Sequence, residues 1–340
     1  MNTSCPLDIG YLDSPEFLRS TSHIITAIST PIHCISMYCI LLKTPEQMKG
    51  VKLYFINLHV WIWIFDYFMS LLLIPFILFP FFVGFQLGIL SEIFPINSFH
   101  VPVVLVVYTY VAIAVVAVFE NRFYTVCVLP AKFKKLWGWF RKPWLAVHYP
   151  AVIAGVAPFV IFVPEQETAK KKVFEALACL PDYILNAPIF VFVFDNFIYS
   201  SFLLIPGPLI YAFEFSIFIS FLIQNFYKQV KSRTISQKTI EMQKKFFVAL
   251  LIQTLVPLAL MVLPVTLIWI IVWKQYYSQA LNNIVVVIVS THGCVSSVVM
   301  ILVHRPYRDT VLWWFSKKKR SSERNSERVI RKNTLMKPAQ

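Results

Sequence analysis

The chain has 340 residues, of which 58 % are hydrophobic and only 14 % are charged. Because soluble domains usually carry about 25 % charged residues, this composition excludes a soluble globular protein. The formal net charge of +14 could suggest a nucleic-acid binder, but the basic residues stand in short segments between long apolar runs instead of forming one solvated patch. We therefore expect membrane lipids around the chain and no nucleic acid as a partner.

Seven apolar runs predict seven membrane-spanning helices. Each reaches the roughly 20 residues that a helix needs to cross about 30 Å of hydrocarbon, and strands of about 9–11 residues would be too short to explain them. The predicted spans are Ser22 to Leu42, Leu53 to Val83, His100 to Val126, Trp144 to Val163, Ile198 to Ile223, Lys245 to Trp273 and Asn282 to Val303. The second is longer than a span requires. The expected fold is an all-α, seven-transmembrane helix bundle over residues 22–303.

The distribution of Lys and Arg predicts the orientation, because these residues accumulate in cytoplasmic loops. With the N-terminus outside, the inner segments carry 26 of the 31 basic residues. Residues 1–21 lack the apolar core of a signal peptide, so we expect them to be an extracellular segment and the first span to act as the insertion signal. Residues 304–340 become a cytoplasmic tail. Its residues 308–319 combine aromatic and basic side chains, which predicts a short interfacial helix before a disordered end.

The apolar stretch from Ile184 to Phe194 could add an eighth crossing. Such a crossing would move the basic third inner loop and the tail outside, so the charge distribution opposes it. The alternating aromatic and β-branched residues from Ile189 to Phe194 favour a strand-like lid in the second outer loop. A longer fifth helix is the alternative.

Patterns typical of catalysis are missing from the sequence. It has no glycine-rich phosphate loop, no zinc-type spacing of Cys and His, and no His-Glu-x-x-His helix. An intramembrane enzyme would need paired acids or a nucleophile beside a base, whereas Asp66, Glu120 and Glu214 stand alone on three different spans. We predict no enzymatic activity, no cofactor and no metal site.

Asp66 lies about 13 residues into the second run, which is roughly 20 Å along a helix and near mid-membrane. A charge at that depth costs about 2.5–3.5 kcal/mol, so its side chain is expected to face the bundle interior. Two roles stay open. The carboxyl group is either a polar switch node, ion-linked or protonated, or a static hydrogen-bond partner of the seventh span.

A polar stripe on the seventh run repeats every seven residues, a spacing that drifts by only about 20° per step around a helix. Its members are Asn283, Ser290, Ser297 and His304. They share one face, which should look inward because hydroxyl and amide groups join transmembrane helices. Packing explains Ser297, whereas Asn283 and Ser290 lie nearer the outer half and could contact a ligand.

The third run ends on the cytoplasmic side with Glu120, Asn121 and Arg122. One hypothesis is a local pair of Glu120 and Arg122 that opens when a partner inserts from inside, and the alternative is an ordinary polar helix end. Pro257 and Pro264 permit a kink in the sixth run, which is either a hinge or a static feature.

Two outward features concern covalent modification. Cys5 and Cys179 are the cysteines expected on the oxidising side, where they could form a disulfide. Asn2 begins an Asn-Thr-Ser glycosylation sequon.

The order and spacing of several short motifs are specific in combination. They are Tyr11-Leu-Asp-Ser-Pro-Glu-Phe17, Thr30-Pro-Ile-His33, Lys43-Thr-Pro-Glu-Gln-Met48, Asn57-Leu-His59 with Asp66, Glu120-Asn-Arg122 and His304-Arg-Pro-Tyr-Arg308. This series resembles the nematode chemoreceptor family called serpentine receptor class H, over nearly all of the chain except the tail.

The resemblance implies a G-protein-coupled receptor in the plasma membrane of chemosensory neurons, in their sensory cilia. Its implied partners are a heterotrimeric G protein on the cytoplasmic side and a small-molecule ligand. Glu120, Asn121 and Arg122 match the place of the acid-arginine-tyrosine motif of rhodopsin-like receptors, and Pro306, Tyr307 and Arg308 match the terminal signature of the family. The chain departs from the rhodopsin pattern because span three has no outer cysteine and span seven lacks Asn-Pro-x-x-Tyr.

We expect a small apolar or volatile ligand in the outer half of the bundle, where an aromatic wall with a few polar groups suits such molecules. The candidate contacts are Tyr108 on span three, Tyr199 and Ser201 at the top of span five, Thr266 and Trp269 on span six, and Ser290 and His292 on span seven. Each could instead be a packed core residue. The rival function is a channel or transporter with Asp66 and Glu214 along its pathway, but the internal repeats or paired broken helices that it expects are missing.

Overall fold

The computed structural model describes residues 10–94, 98–177, 180–193, 206–232, 236–314 and 316. Within these ranges, seven helices are long and apolar enough to cross a membrane. They are Pro15–Leu42, Lys49–Leu72, His100–Val126, Ala131–Ile161, Leu209–Lys231, Gln237–Lys274 and Gln279–Val303, called spans one to seven below. The predicted seven-helix bundle is confirmed.

Shorter elements connect the spans or divide them. The connecting elements are the 3-10 helices Tyr11–Asp13 and Glu46–Met48, the α-helices Leu90–Ile93, Gln166–Ala176 and Asp182–Leu185, the helix at 305–314, and the strands β1 (Pro75–Ile77), β2 (Phe82–Gln86) and β3 (Phe190–Val193). Three spans are each made of two segments. Span two consists of the α-helix Lys49–Tyr67 and the π-helical turn Phe68–Leu72, span four consists of Ala131–Val156 and Pro158–Ile161, and span seven consists of Gln279–Ser290 and His292–Val303. Span five is part of the helix Pro206–Ser232.

The predicted end of span two at Val83 is wrong. The helix ends at Leu72, and the rest of the apolar run forms the antiparallel hairpin of β1 and β2, in which Phe76 pairs with Phe85. Pro75 has no N–H to continue a helical ladder. A Cβ at Gly84 would overlap the carbonyl oxygen of Phe76, so only glycine lets the two strands lie this close. The strands are buried, and a buried strand is as apolar as a membrane span.

The strand predicted between Ile189 and Phe194 is confirmed for its described residues. β3 pairs antiparallel with β2, which gives a three-stranded sheet in the order β1-β2-β3. The side chain of Gln166 accepts a hydrogen bond of 2.9 Å from the N–H of Val191 and donates one of 3.0 Å to its carbonyl oxygen. The helix Gln166–Ala176 is thereby joined to β3 and through it to β2, so the described parts of the first two outer loops are connected.

Three helices extend eight residues or more further at their inner ends than hydropathy predicted. Span four begins at Ala131 instead of Trp144, span five ends at Lys231 instead of Ile223, and span six begins at Gln237 instead of Lys245. Ser236 caps span six, because its side chain accepts a hydrogen bond from the N–H of Thr239. Hydropathy locates the apolar part of a helix only, whereas the backbone ladder continues through the basic residues beyond it.

Candidate functional site

A buried carboxyl group joins three spans near the middle of the bundle. Asp66 Oδ2 lies 3.0 Å from His33 Nε2 of span one, and Asp66 Oδ1 accepts a hydrogen bond of 2.9 Å from the N–H of Gly293 in span seven. His33 Nδ1 lies 2.9 Å from Ser297 Oγ. The three polar side chains are at most 1 % exposed. We call these four residues the polar node.

Within the polar node, the position of Gly293 leaves no room for a side chain. A Cβ there would overlap the carboxyl group of Asp66. Small residues let membrane helices approach closely, and here the approach brings a backbone N–H to a carboxyl oxygen. Span seven is interrupted two residues before this glycine, at Thr291 between its two helical segments. The hydrogen bond expected between Asp66 and the seventh span is present, and a switching role stays a prediction.

The polar stripe of span seven faces inward as predicted. Its members Asn283, Ser290, Ser297 and His304 are at most 3 % exposed. Asn283 Nδ2 donates a hydrogen bond of 2.8 Å to the carbonyl oxygen of Leu12 in the N-terminal segment. His304 Nε2 lies 2.8 Å from Gln253 Oε1 of span six. One helix face therefore joins span seven to the N-terminal segment, to span one and to span six.

Glu120 forms the second buried cluster, at the inner end of the bundle. Its Oε2 accepts hydrogen bonds of 2.6 and 3.1 Å from Nη2 and Nε of Arg141, and its Oε1 accepts one of 2.8 Å from Trp137 Nε1. Arg141 Nη2 also donates to Asn121 Oδ1 at 3.2 Å. Charge-assisted bonds of this kind are the stronger ones in proteins. The inner extension of span four thus supplies the partners for the end of span three.

The hypothesis that Glu120 pairs locally with Arg122 is wrong. Residues two apart point to different sides of a helix and do not meet. The guanidinium carbon of Arg122 instead lies 3.6 Å from the ring centroid of Phe246 in span six. Its Nε is buried and has no hydrogen-bond partner among the described residues. Arg122 therefore connects span three to span six through a cation–π contact.

The third acid, Glu214 of span five, lies 3.1 Å from His148 Nε2 of span four. Each of the three acids has a basic partner on another span, namely His33, Arg141 and His148. The sequence interpretation, which had the acids standing alone, missed these partners. The signal for them was energetic, because a carboxylate inside a membrane requires a compensating group.

Two of the predicted ligand contacts come together around Phe65. The ring of Tyr108 lies 5.9 Å from that of Phe65, and the ring of His292 meets it edge-on at 6.1 Å. His292 is 4 % exposed, and its Nδ1 has no hydrogen-bond partner in the described part of the chain. Ser290 is fully buried but donates its hydroxyl to the carbonyl oxygen of Val286 in its own helix.

The other predicted ligand contacts do not join this cluster. Thr266 is exposed, and its hydroxyl donates to the carbonyl oxygen of Val262 in its own helix at 2.8 Å. Trp269 is half-buried on the same helix. The remaining predicted residues, Tyr199 and Ser201 together with Cys5, Cys179 and Asn2, lie outside the described residues.

The terminal motif attaches the helix at 305–314, which begins beside Pro306, to the first inner loop. Tyr307 is fully buried, and its hydroxyl lies 2.8 Å from Thr44 Oγ1. Burial raises the pKa of the Tyr307 phenol, so it stays protonated. Arg308 donates a hydrogen bond of 3.3 Å to the carbonyl oxygen of Leu302.

At the outer end, the N-terminal segment and the β-sheet form a layer over the bundle, called the outer cover below. Asp13 Oδ1 accepts a hydrogen bond of 2.8 Å from the N–H of Ala280 at the start of span seven. The hydroxyl of Tyr183 donates to the carbonyl oxygen of Asp13 at 3.1 Å, and burial together with the nearby charge of Asp13 raises the pKa of Tyr183 to about 12. Gln279 Nε2 donates to the carbonyl oxygen of Ile77 in β1 at 3.2 Å.

Comparison with known proteins agrees with this architecture. The family model for the serpentine-type seven-transmembrane G-protein-coupled chemoreceptors called Srh matches residues 13–317. The chain belongs to this family. Serpentine receptor class H-72 of Caenorhabditis elegans is 31 % identical over 324 residues, a stretch that covers 94 % of this chain and 91 % of the relative. The predicted class H membership is confirmed, and the polar node, the Glu120 cluster and Tyr307 all lie within the matched residues.

Proposed function

We propose that this serpentine receptor binds a small apolar or volatile ligand in the outer half of the bundle and activates a heterotrimeric G protein on its cytoplasmic side. Its proposed location is the plasma membrane of chemosensory neurons, in their sensory cilia. The observation that carries the proposal is the contact of Arg122 with Phe246, which joins spans three and six at the inner end.

The contacts around Arg122 are suited to a change between two arrangements. The ring of Phe246 lies 5.6 Å from that of His304, which in turn contacts Gln253. A desolvated cation–π contact contributes about 2 kcal/mol, which is small enough for an alternative arrangement to be populated. If span six moves away, Arg122 loses its aromatic partner and becomes available to a protein that binds from inside.

The ligand would act on this equilibrium through the polar node. Phe65 precedes Asp66 in span two, and His292 precedes Gly293 in span seven. A molecule that contacts Tyr108 or His292 therefore touches residues next to both partners of the hydrogen bond between spans two and seven. A ligand that binds one of the two arrangements more tightly shifts their populations. If the ligand raises the affinity of the receptor for the G protein by some factor, the G protein must raise its affinity for the ligand by that same factor.

The charge of the inner side supports a G protein as the partner. In the predicted orientation, 26 of the 31 basic residues lie on the cytoplasmic side. A positive surface accelerates the association of a partner with an acidic surface. Two of these 26 residues, Arg305 and Arg308, lie on the described helix at 305–314.

The proposal is tested by nucleotide exchange on purified G proteins. The receptor in lipid nanodiscs would be mixed with a set of Gα subunits and Gβγ, and a panel of volatile alcohols, ketones and esters would be screened for accelerated uptake of a GTP analogue. We expect at least one compound to accelerate exchange in wild type and in Thr266→Val, and to lose this effect in His292→Phe. A ligand-evoked current that persists in cells without G proteins would contradict the proposal and favour a channel.

A further inference from the structure

A cleft with a volume of about 580 Å³ lies between spans three, four and five. This volume is within the usual range for sites that bind small molecules. Most of its lining is aromatic, including Trp144, Phe218 and Phe221. Glu214 is the charged residue of this lining. The cleft is distinct from the cluster around Phe65 proposed for the chemosensory ligand.

The net charge of the pair formed by Glu214 and His148 follows from the hydrogen-bond partners of His148. His148 Nδ1 lies 2.8 Å from the carbonyl oxygen of Trp144, which can only accept, so Nδ1 carries a hydrogen. Nε2 lies 3.1 Å from Glu214 Oε1, and a hydrogen bond between these atoms requires one proton between them. The pair is therefore neutral overall, whether the proton belongs to the imidazole or to the carboxyl group.

The second oxygen of Glu214 has an unmet capacity to accept a hydrogen bond. Oε2 is buried and has no hydrogen-bond partner among the described residues. A buried acceptor without a partner is unfavourable. An ammonium group would supply a donor but would add net charge to a neutral pair inside the membrane, which is costly. A hydroxyl group supplies the donor without adding charge.

The shape of the cleft favours a rigid occupant. Glu214 lies five residues inward from Leu209, the outermost lining residue, and Phe221 lies seven residues further, which is about 10 Å along the helix. A rigid ring system that fills this length against aromatic walls loses less conformational freedom than a flexible acyl chain.

We propose that this cleft binds a sterol-type lipid from the bilayer. Its hydroxyl group donates a hydrogen bond to Glu214 Oε2, and its ring system packs against Trp144, Phe218 and Phe221. The lipid enters from the membrane, so the outer cover does not have to open. The inner end of the cleft is lined by Trp137, whose indole N–H is bonded to Glu120. The occupant thus lies beside the cluster at the inner end of span three.

The test is photolabelling of the full-length receptor in nanodiscs with a diazirine-bearing cholesterol, followed by mass spectrometry of the labelled peptides. We expect labelling within residues 206–232 and 131–156 that unlabelled cholesterol competes away. Ile217→Trp fills the cleft and should remove this labelling, and Glu214→Met should reduce it about five-fold through the loss of one hydrogen bond. Ser216→Ala is the matched control, since Ser216 is exposed on the same helix and bonds to its own backbone.

Competitors test the chemistry of the occupant. Cholestane, which lacks the hydroxyl, should compete at least several-fold less well than cholesterol, and so should octadecanol, which has a hydroxyl on a flexible chain. Unchanged labelling in Ile217→Trp would contradict the proposal that the sterol binds in this cleft. Equal competition by cholestane would overturn the role of Glu214, and equal competition by octadecanol would overturn the sterol assignment. Labelling needs neither a chemosensory ligand nor a G protein, so its failure is distinguishable from a failure of the proposed function.

Discussion

The outer and inner ends of the bundle are held by different kinds of contact. At the outer end, a ladder of backbone hydrogen bonds joins β1, β2 and β3, and the N-terminal segment adds bonds to backbone atoms, such as that from Ala280 to Asp13. At the inner end, side chains make the contacts between spans, as in the pairs Arg122 with Phe246 and Arg141 with Glu120.

This difference indicates where the receptor can change shape. A buried backbone ladder cannot be opened without leaving many polar groups unpaired, which is unfavourable. A side-chain pair can exchange its partner for a group on another protein. We therefore expect motion to concentrate at the inner end, with the polar node between the two ends. The following variants test that expectation, beginning with the largest effect.

Gly293→Ala should abolish the folded receptor. The added methyl group overlaps the carboxyl group of Asp66, whose displacement breaks its hydrogen bonds to Gly293 and His33. Each buried polar group left without a partner costs about 1–3 kcal/mol. We expect less than a tenth of the wild-type surface expression, measured with an extracellular antibody tag. Gly155→Ala is the matched control, because a Cβ there meets open space. Equal expression of both variants would show that the node is not needed for folding.

Arg141→Met should lower the thermal stability of the detergent-solubilised receptor by about 3 kcal/mol, since it leaves Glu120 buried without its basic partner. Adding Glu120→Gln should recover much of the loss, because the uncompensated charge is then gone. Thermal unfolding of wild type, both single variants and the double variant measures the coupling. Additive losses would argue against the pair.

Asp13→Ala should lower thermal stability by about 1–2 kcal/mol and leave basal nucleotide exchange unchanged. The change removes the acceptor at the start of span seven, where a carboxylate also interacts favourably with the helix dipole. Glu92→Ala removes an exposed carboxylate from the same outer side and serves as the control. An increase in basal exchange for Asp13→Ala would contradict the division between the two ends.

Phe246→Leu, which keeps most of the apolar volume, should have the opposite profile, with a small change in stability and a rise in basal exchange. Removing the ring releases Arg122 and disfavours the arrangement in which span six lies against span three by about 0.5–2 kcal/mol. This corresponds to a rise of roughly two- to thirty-fold in basal exchange. Val248→Ala, at an exposed position two residues along span six, is the control. Unchanged nucleotide exchange in Phe246→Leu would contradict a role of the Arg122 contact in activation.

Much of the fold could be predicted from the sequence, because each span carries its signal locally. Hydropathy located all seven spans, and the inward face of span seven followed from the spacing of its polar residues. The end of span two could not be predicted by hydropathy, since the buried strands β1 and β2 are as apolar as the helix before them. Hydropathy also missed the inner parts of spans four, five and six, which are helical but charged.

The sequence by itself determined that the chain is a seven-span membrane receptor of the serpentine class, since apolar length and motif order are properties of the chain alone. Only the tertiary structure decided the partners of Asp66, Glu120 and Glu214. Each partner lies on a different helix, at least 21 residues away along the chain. Which side chains meet depends on how the helices are rotated and shifted in the bundle, and that arrangement is set jointly by the packing of all seven.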